Sequence, residues 1–184
     1  ALERMLLVAR HLPTECLSMD PIGAYEWLST RSSHAYIPYL YGYTNYSRKG
    51  FRPHFVQAAE IPTLGPLGPV GSPIGGTGIA ISARTAHPEV ALDYAFWIAS
   101  AECQQGAYFA AGGQPANLVA WTDAACNAAS GRFFASTLAT LEQSYLRPRH
   151  RGYLGFQDAG GDLVHACMRE ALSPFLCAEA INRA

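Results

Sequence analysis

Charge of one sign is what this chain has least of. Its 184 residues carry a formal net charge of -1, and twelve arginines and a single lysine are scattered along it. No basic stripe exists to grip a polyanion, so nucleic acid and anionic membrane surfaces are excluded as partners. Long apolar runs are also lacking. None approaches the roughly 18 residues of a membrane span, and no basic stretch followed by an apolar one marks a secretory signal. The five cysteines (Cys16, Cys103, Cys126, Cys167, Cys177) show no CxxC or CxxH spacing, and the six histidines form no pair at i, i+3 or i, i+4. Zinc and a dense disulfide framework are therefore unsupported, although one disulfide stays open. No phosphate-loop lysine accompanies the glycines, and no repeat or low-complexity tract appears. No metal or cofactor is expected.

With 49% hydrophobic and 15% charged residues the chain has enough apolar mass for one core or two small lobes. Helical spacing starts at the first residues, where Leu2, Met5, Leu6, Ala9 and Leu12 repeat without a cap before them, as if the chain began mid-fold. Pro13 closes that helix. Asp20 and Pro21 suit the cap and first position of a short second one. The stretch AYIPYLYGYTNYS, residues 35–47, holds five of the ten tyrosines and reads as a strand and turn; RPHFVQAAEIP, 52–62, reads as another strand. A loop rich in Gly and Pro then leads to a third strand, TGIAISA, 77–83.

Pro88 and Glu89 open a helix with Val90, Tyr94, Trp97 and Ile98 on one stripe, and Ser100 caps a further helix that Gly112 and Gly113 end. A loop is expected to about residue 130. A helix follows with the stripe Phe134, Leu138, Leu141, Tyr145, stopped by Pro148, and two more begin near Asp162 and at Ser173-Pro174. Strands separated by helices predict an α/β layer arrangement.

The order of features in GGTGIAISARTAHPEVALDYAFWIASAECQQGAYFAAGGQPA, residues 75–116, resembles the extracellular solute-binding proteins of family 1, the sugar-binding receptors of bacterial ABC importers. The tyrosine stretch before it and FFASTLATLEQSYLRPRHRGYLGFQ after it sit where such proteins carry matching segments. The resemblance implies a periplasmic-binding-protein-like II fold, present here as an incomplete C-terminal portion. Residues 1–74 would belong to the second lobe, 75–82 to a crossing strand, 83–125 to a segment of the first lobe, and 126–184 to the second-lobe return. It implies no catalysis. A sugar or polyol would be held by lobe closure, and the loaded protein would dock on a membrane permease from the periplasmic or extracellular side. An exposed cleft face would let a fragment pair as a dimer. A sensory or adaptor module of the same fold is the alternative; a hydrolase is the weaker one, because no local constellation of nucleophile and base appears.

Sugar chemistry accounts for the tyrosines. A pyranose has an apolar C–H face and a polar rim, and a phenol ring with its hydroxyl serves both. Tyr39, Tyr41 and Tyr43 alternate along the expected strand, with Asn45 and Tyr46 in the turn beyond. Tyr41, Tyr43, Asn45 and Tyr46 are candidate ligand contacts, although Tyr39 and Tyr41 would equally serve to cover a sheet face. Gly75, Gly76 and Thr77 would let a ligand approach the backbone, or merely make a turn. Arg149 and Tyr153 are candidates from the arginine-rich loop, where solvated surface arginines are the competing explanation. Trp27 reads as core, and Gln114 as a structural turn residue.

Overall fold

Helix starts marked by a polar cap and a proline form where the sequence places them. The computed structural model describes residues 1–30, 33–63 and 65–183. Helix α1 spans Leu2–Ala9, and α2 spans Pro21–Thr30 with the Asp20 carboxylate accepting from Gly23 N at 2.6 Å. Helix α3, Pro88–Ala99, opens on its proline, and α4, Ala101–Cys103, is capped by Ser100 Oγ, which accepts from Cys103 N at 3.2 Å. A π-helical turn, Gln104–Tyr108, continues α4. Gly112, at φ 95°, and Gly113 end the run through bonds to the Phe109 and Tyr108 carbonyls.

Two further helices lie where a loop is expected. Helices α5, Leu118–Thr122, and α6, Ala124–Ala129, are each a turn or so long and are started by Asn117 and Asp123 side chains. Helix α7 keeps only Leu138–Glu142 of its expected length, after a run of turns that opens on the consecutive left-handed residues Gly131 (φ 56°) and Arg132 (φ 64°). Helix α8, Tyr153–Met168, begins nine residues before Asp162, running through Gly160 and Gly161. Helix α9, Pro174–Ile181, is capped by Ser173.

The α/β expectation is overturned. The architecture is all-helical, with 49% helix, 1% strand and no sheet among the described residues. The periplasmic-binding-protein-like II fold implied by the resemblance is therefore not the fold of this chain. None of the expected strands pairs into a sheet among the described residues. In 35–47, Gly42 O and Thr44 N bond the Gln114 amide, and Thr44–Ser47 curls into a 3-10 turn. In 52–62, His54 N, Val56 N and Ile61 N donate to three separate places: Ser29 O, Tyr46 O and Thr140 Oγ1. The segment expected as a crossing strand, 75–82, is mostly exposed and joins no ladder. Pro62, Pro66, Pro69 and Pro73 remove four donors from the region that would have to pair. One parallel bridge, Pro73 with Tyr145, is formed.

The chain divides into two compact units, Ala1–Ala24 with Arg147–Ala184, and Tyr25–Leu146. In the first, α1, α8 and α9 pack on one another around the buried Cys167 and Cys177. Arg10 pairs with Glu170 at 2.8 Å on its surface. In the second, Phe109, Ala120, Trp121, Cys126, Phe133 and Phe134 make one apolar cluster, and Tyr25, Tyr46 and Val56 make another. The expected stripe of α3 is not part of either. Val90, Tyr94 and Trp97 are exposed, as is Phe96. Pro88 at its first position and local propensity form this helix, and its apolar residues bury little.

The contrast is measurable. Phe134 is 0% exposed with three aromatic neighbours, whereas Phe96 is 73% exposed. Phe134→Ala is expected to cost about 3–5 kcal/mol in urea denaturation followed by tryptophan fluorescence. Phe96→Ala should stay within about 0.5 kcal/mol of the parent.

Candidate functional site

Three half-exposed tyrosines converge on the segment 72–75 of the second unit. The bridge sets this up: Tyr145 N donates to Ser72 O at 3.0 Å and Ile74 N to Tyr145 O at 2.9 Å. The Tyr39 side chain lies beside Ser72, and the Tyr41 ring lies against Gly75. A Cβ on Gly75 would sit 3.3 Å from two ring carbons of Tyr41, so the glycine allows a close approach there. Tyr39, Tyr41 and Tyr145 remain 55%, 42% and 50% exposed. Burial pushes the Tyr39 hydroxyl above its usual range, and the nearby Tyr145 and Tyr41 hydroxyls add to that. The three tyrosines are thus gathered at one segment of the chain, each open to solvent.

The backbone under them is fixed from beneath. Gly42 is pressed against Phe133, where a Cβ would come within 2.7 Å of the ring, so only glycine lets the chain pass there. Gln114 holds both sides of it, accepting from Thr44 N at 2.8 Å and donating to Gly42 O at 3.2 Å. Arg48 extends the same clamp, donating to Phe109 O and Gly113 O at 3.0 and 3.1 Å with its guanidinium over the Phe109 ring. Gln114 thus performs the structural role expected of it.

No family model, curated protein or solved structure matches the chain. The site is therefore read from its own geometry.

Of the residues singled out in the sequence, the structure brings Tyr41 and Gly75 together. Gly76 and Thr77 continue from Gly75 as exposed backbone. Tyr43 packs edge-on to Tyr25 at 5.9 Å and keeps an exposed face, and Asn45 is half-buried in the 3-10 turn. Tyr46 lies in the core at 6% exposure. Its ring stacks on Tyr25 at 4.6 Å and its hydroxyl donates to Glu26 Oε1 at 2.7 Å. Arg149 and Tyr153 belong to the first unit, apart from the tyrosine group in the division of the chain. Arg149 is exposed, and Tyr153 stands edge-on to His150 at 5.9 Å.

Sequence reasoning missed Tyr145 as a site residue, since its spacing fitted a helix stripe; Pro148 was the visible sign that the helix had to stop nearby. It also missed a pocket of about 400 Å³ walled by His34, His54, Phe55 and Gln57, where His34 packs on the half-buried Trp27.

A carboxylate supports the Tyr46 side of this unit. Arg52 grips Glu26 with Nε at 2.9 Å from both oxygens and Nη2 at 2.7 Å from Oε1. Arg52 first, and then Tyr46, hold the Glu26 carboxyl below its usual range. A carboxyl depressed on folding contributes stability that is present above its unfolded pKa, about 4.3, and is lost as pH falls through the folded value. Denaturation midpoints taken across the acid range should therefore fall more steeply in the parent than in Glu26→Gln, with the difference confined to pH below about 4.3.

Proposed function

We propose that the chain is a non-catalytic binding protein for a carbohydrate or related polyol, with Tyr39, Tyr41 and Tyr145 as its contact surface. One observation carries this reading: three half-exposed tyrosines are gathered at the segment 72–75, Tyr41 by its ring on Gly75 and Tyr145 by its backbone bonds to Ser72 and Ile74. Exposed phenol rings suit the C–H face of a pyranose, and their hydroxyls suit its rim. The glycine at 75 leaves the backbone approachable beside Tyr41. Delivery to the permease of an importer, and a periplasmic or extracellular setting, belong to the same proposal and rest on the sequence resemblance alone.

The thiol chemistry present in the second unit suits binding better than nucleophilic catalysis. Burial, and then Asp123, push the Cys126 thiol up to about 11, and its Sγ donates to Gln105 O at 3.6 Å. It stays protonated at neutral pH, where a catalytic thiol works as the thiolate.

Titration of the protein with a panel of mono- and disaccharides and polyols, followed by calorimetry and by NMR of the tyrosine rings, tests the reading. Binding is expected to shift the Tyr39, Tyr41 and Tyr145 resonances. Tyr41→Ala and Tyr145→Ala should each weaken it by about 1–2 kcal/mol, roughly 5- to 30-fold. Tyr94→Ala, on α3, should leave it unchanged. Absence of any shift at these rings with tens of millimolar of every ligand would overturn the proposal.

A further inference from the structure

Two cysteines of the first unit meet at the junction of its last two helices. Cys167 and Cys177 are both 0% exposed, on two helices that pack on each other. One contact fixes the approach: Cys177 Sγ donates to Leu163 O at 3.4 Å, and Leu163 precedes Cys167 by one turn on the same face of α8.

The turn between the helices holds both cysteines in place. Ala171 N donates to Ala166 O and Glu170 N to Cys167 O, each at 3.0 Å, with Glu170 left-handed at φ 59°. This is a Schellman ending, and the Cys167 carbonyl is part of it. On the other side, Cys177 N donates to Ser173 O at 2.9 Å in the capped first turn of α9. The short connection thus sets the Cys177 thiol against the turn of α8 that precedes Cys167.

We propose that Cys167 and Cys177 form an intramolecular disulfide that ties α8 to α9. The oxidant required is a disulfide capable of exchange, such as glutathione disulfide. One cysteine thiolate attacks a sulfur of the donor, forming a mixed disulfide and releasing one thiolate of the donor. The second cysteine then displaces the other donor thiolate. Two electrons pass to the donor, the two cysteine protons go to the released thiolates, and one protein S–S bond replaces the donor's. Because burial raises the Cys177 thiol above its usual range, attack proceeds from a state in which α9 has opened. The other cysteines do not share this arrangement. Cys126 is engaged with Gln105 O, Cys103 lies with it in the second unit, and Cys16 is only half-buried. The inference is independent of the sugar-binding reading, although an oxidising compartment would favour both.

The experiment uses the whole chain, reduced and then incubated with oxidised and reduced glutathione in urea near its unfolding midpoint, so that access to buried sulfur does not limit the result. After acid quench, the thiols are alkylated under full denaturation and the peptides mapped. The expected result is loss of two of the five alkylatable thiols, with Cys167 and Cys177 recovered in one reducible linked species. Reductant should lower the unfolding midpoint of the oxidised parent and leave Cys177→Ser unmoved. Retention of all five thiols, or a linked species joining any other pair, overturns the proposal.

Discussion

A buried peptide group must find a hydrogen-bond partner, and among the described residues of the second unit there is no sheet to supply one. The structure depends on how that demand is met. Gln114 uses both ends of one amide to hold Gly42 O and Thr44 N, and Arg48 spends two guanidinium nitrogens on Phe109 O and Gly113 O. Glu60 does the same at the start of α7, accepting from Ala139 N and Thr140 N, and Asn127 caps the turn beyond α6 by donating to Trp121 O and accepting from Ala135 N. Side chains thus stand where ladder bonds would be. Gln114, Arg48 and Glu60 each fix segments more than 60 residues apart in sequence, whereas Asn127 works within its own turn. A clamp of this kind holds a loop as firmly as a strand while leaving its own side chains free to face outward.

The helices were legible wherever a cap and a proline coincide. Asp20-Pro21 and Ser173-Pro174 state a helix start in local chemistry alone, and Pro88 with Glu89 does so at α3 without a side-chain cap. Asn117 and Asp123 carry the same kind of signal, but the helices they start are too short to show a periodic stripe, so α5 and α6 disappear into an expected loop. Strands failed for the opposite reason. Alternating tyrosines report a segment suited to a pleated surface, whereas a strand exists only when a second segment pairs with it. Nothing local to 35–47 reveals that its backbone partner is Gln114, some 70 residues away. The stripe on α3 misled in a related way, since periodicity gave the helix correctly while its expected burial required a partner that Val90 and Phe96 do not have.

The site was legible in part. Tyr41 and Gly75 were visible as an aromatic and a close-approach glycine, each with a competing structural explanation, and the structure joins them in one contact. Tyr145 was not visible as their neighbour because its position follows from backbone pairing with Ser72 and Ile74, a long-range event that no pattern near residue 145 encodes. Tyr46 was placed on the wrong side of the same argument. Its turn position suggested exposure, yet Glu26 and Arg52 supply its hydroxyl with a charged partner inside the protein, and that partner permits burial.

The tyrosines therefore divide by what their hydroxyls and rings meet. Tyr25 and Tyr46 stack on each other, and Tyr46 ends on a carboxylate that is itself gripped by an arginine, so ring and hydroxyl are both consumed within the unit. Tyr43 stands between the two kinds, with one edge on Tyr25 and one face outward. Tyr39 and Tyr41 are supported on one side by Ser72 and Gly75 and keep the rest of their surface open. Residue type alone cannot separate these roles, because propensity, size and polarity are identical. The deciding quantity is whether the protein already satisfies both halves of an amphipathic side chain. Where it satisfies the hydroxyl and covers the ring, the tyrosine is core; where it steadies one edge and leaves a face bare, the same side chain keeps the open amphipathic surface on which the proposed sugar contact rests.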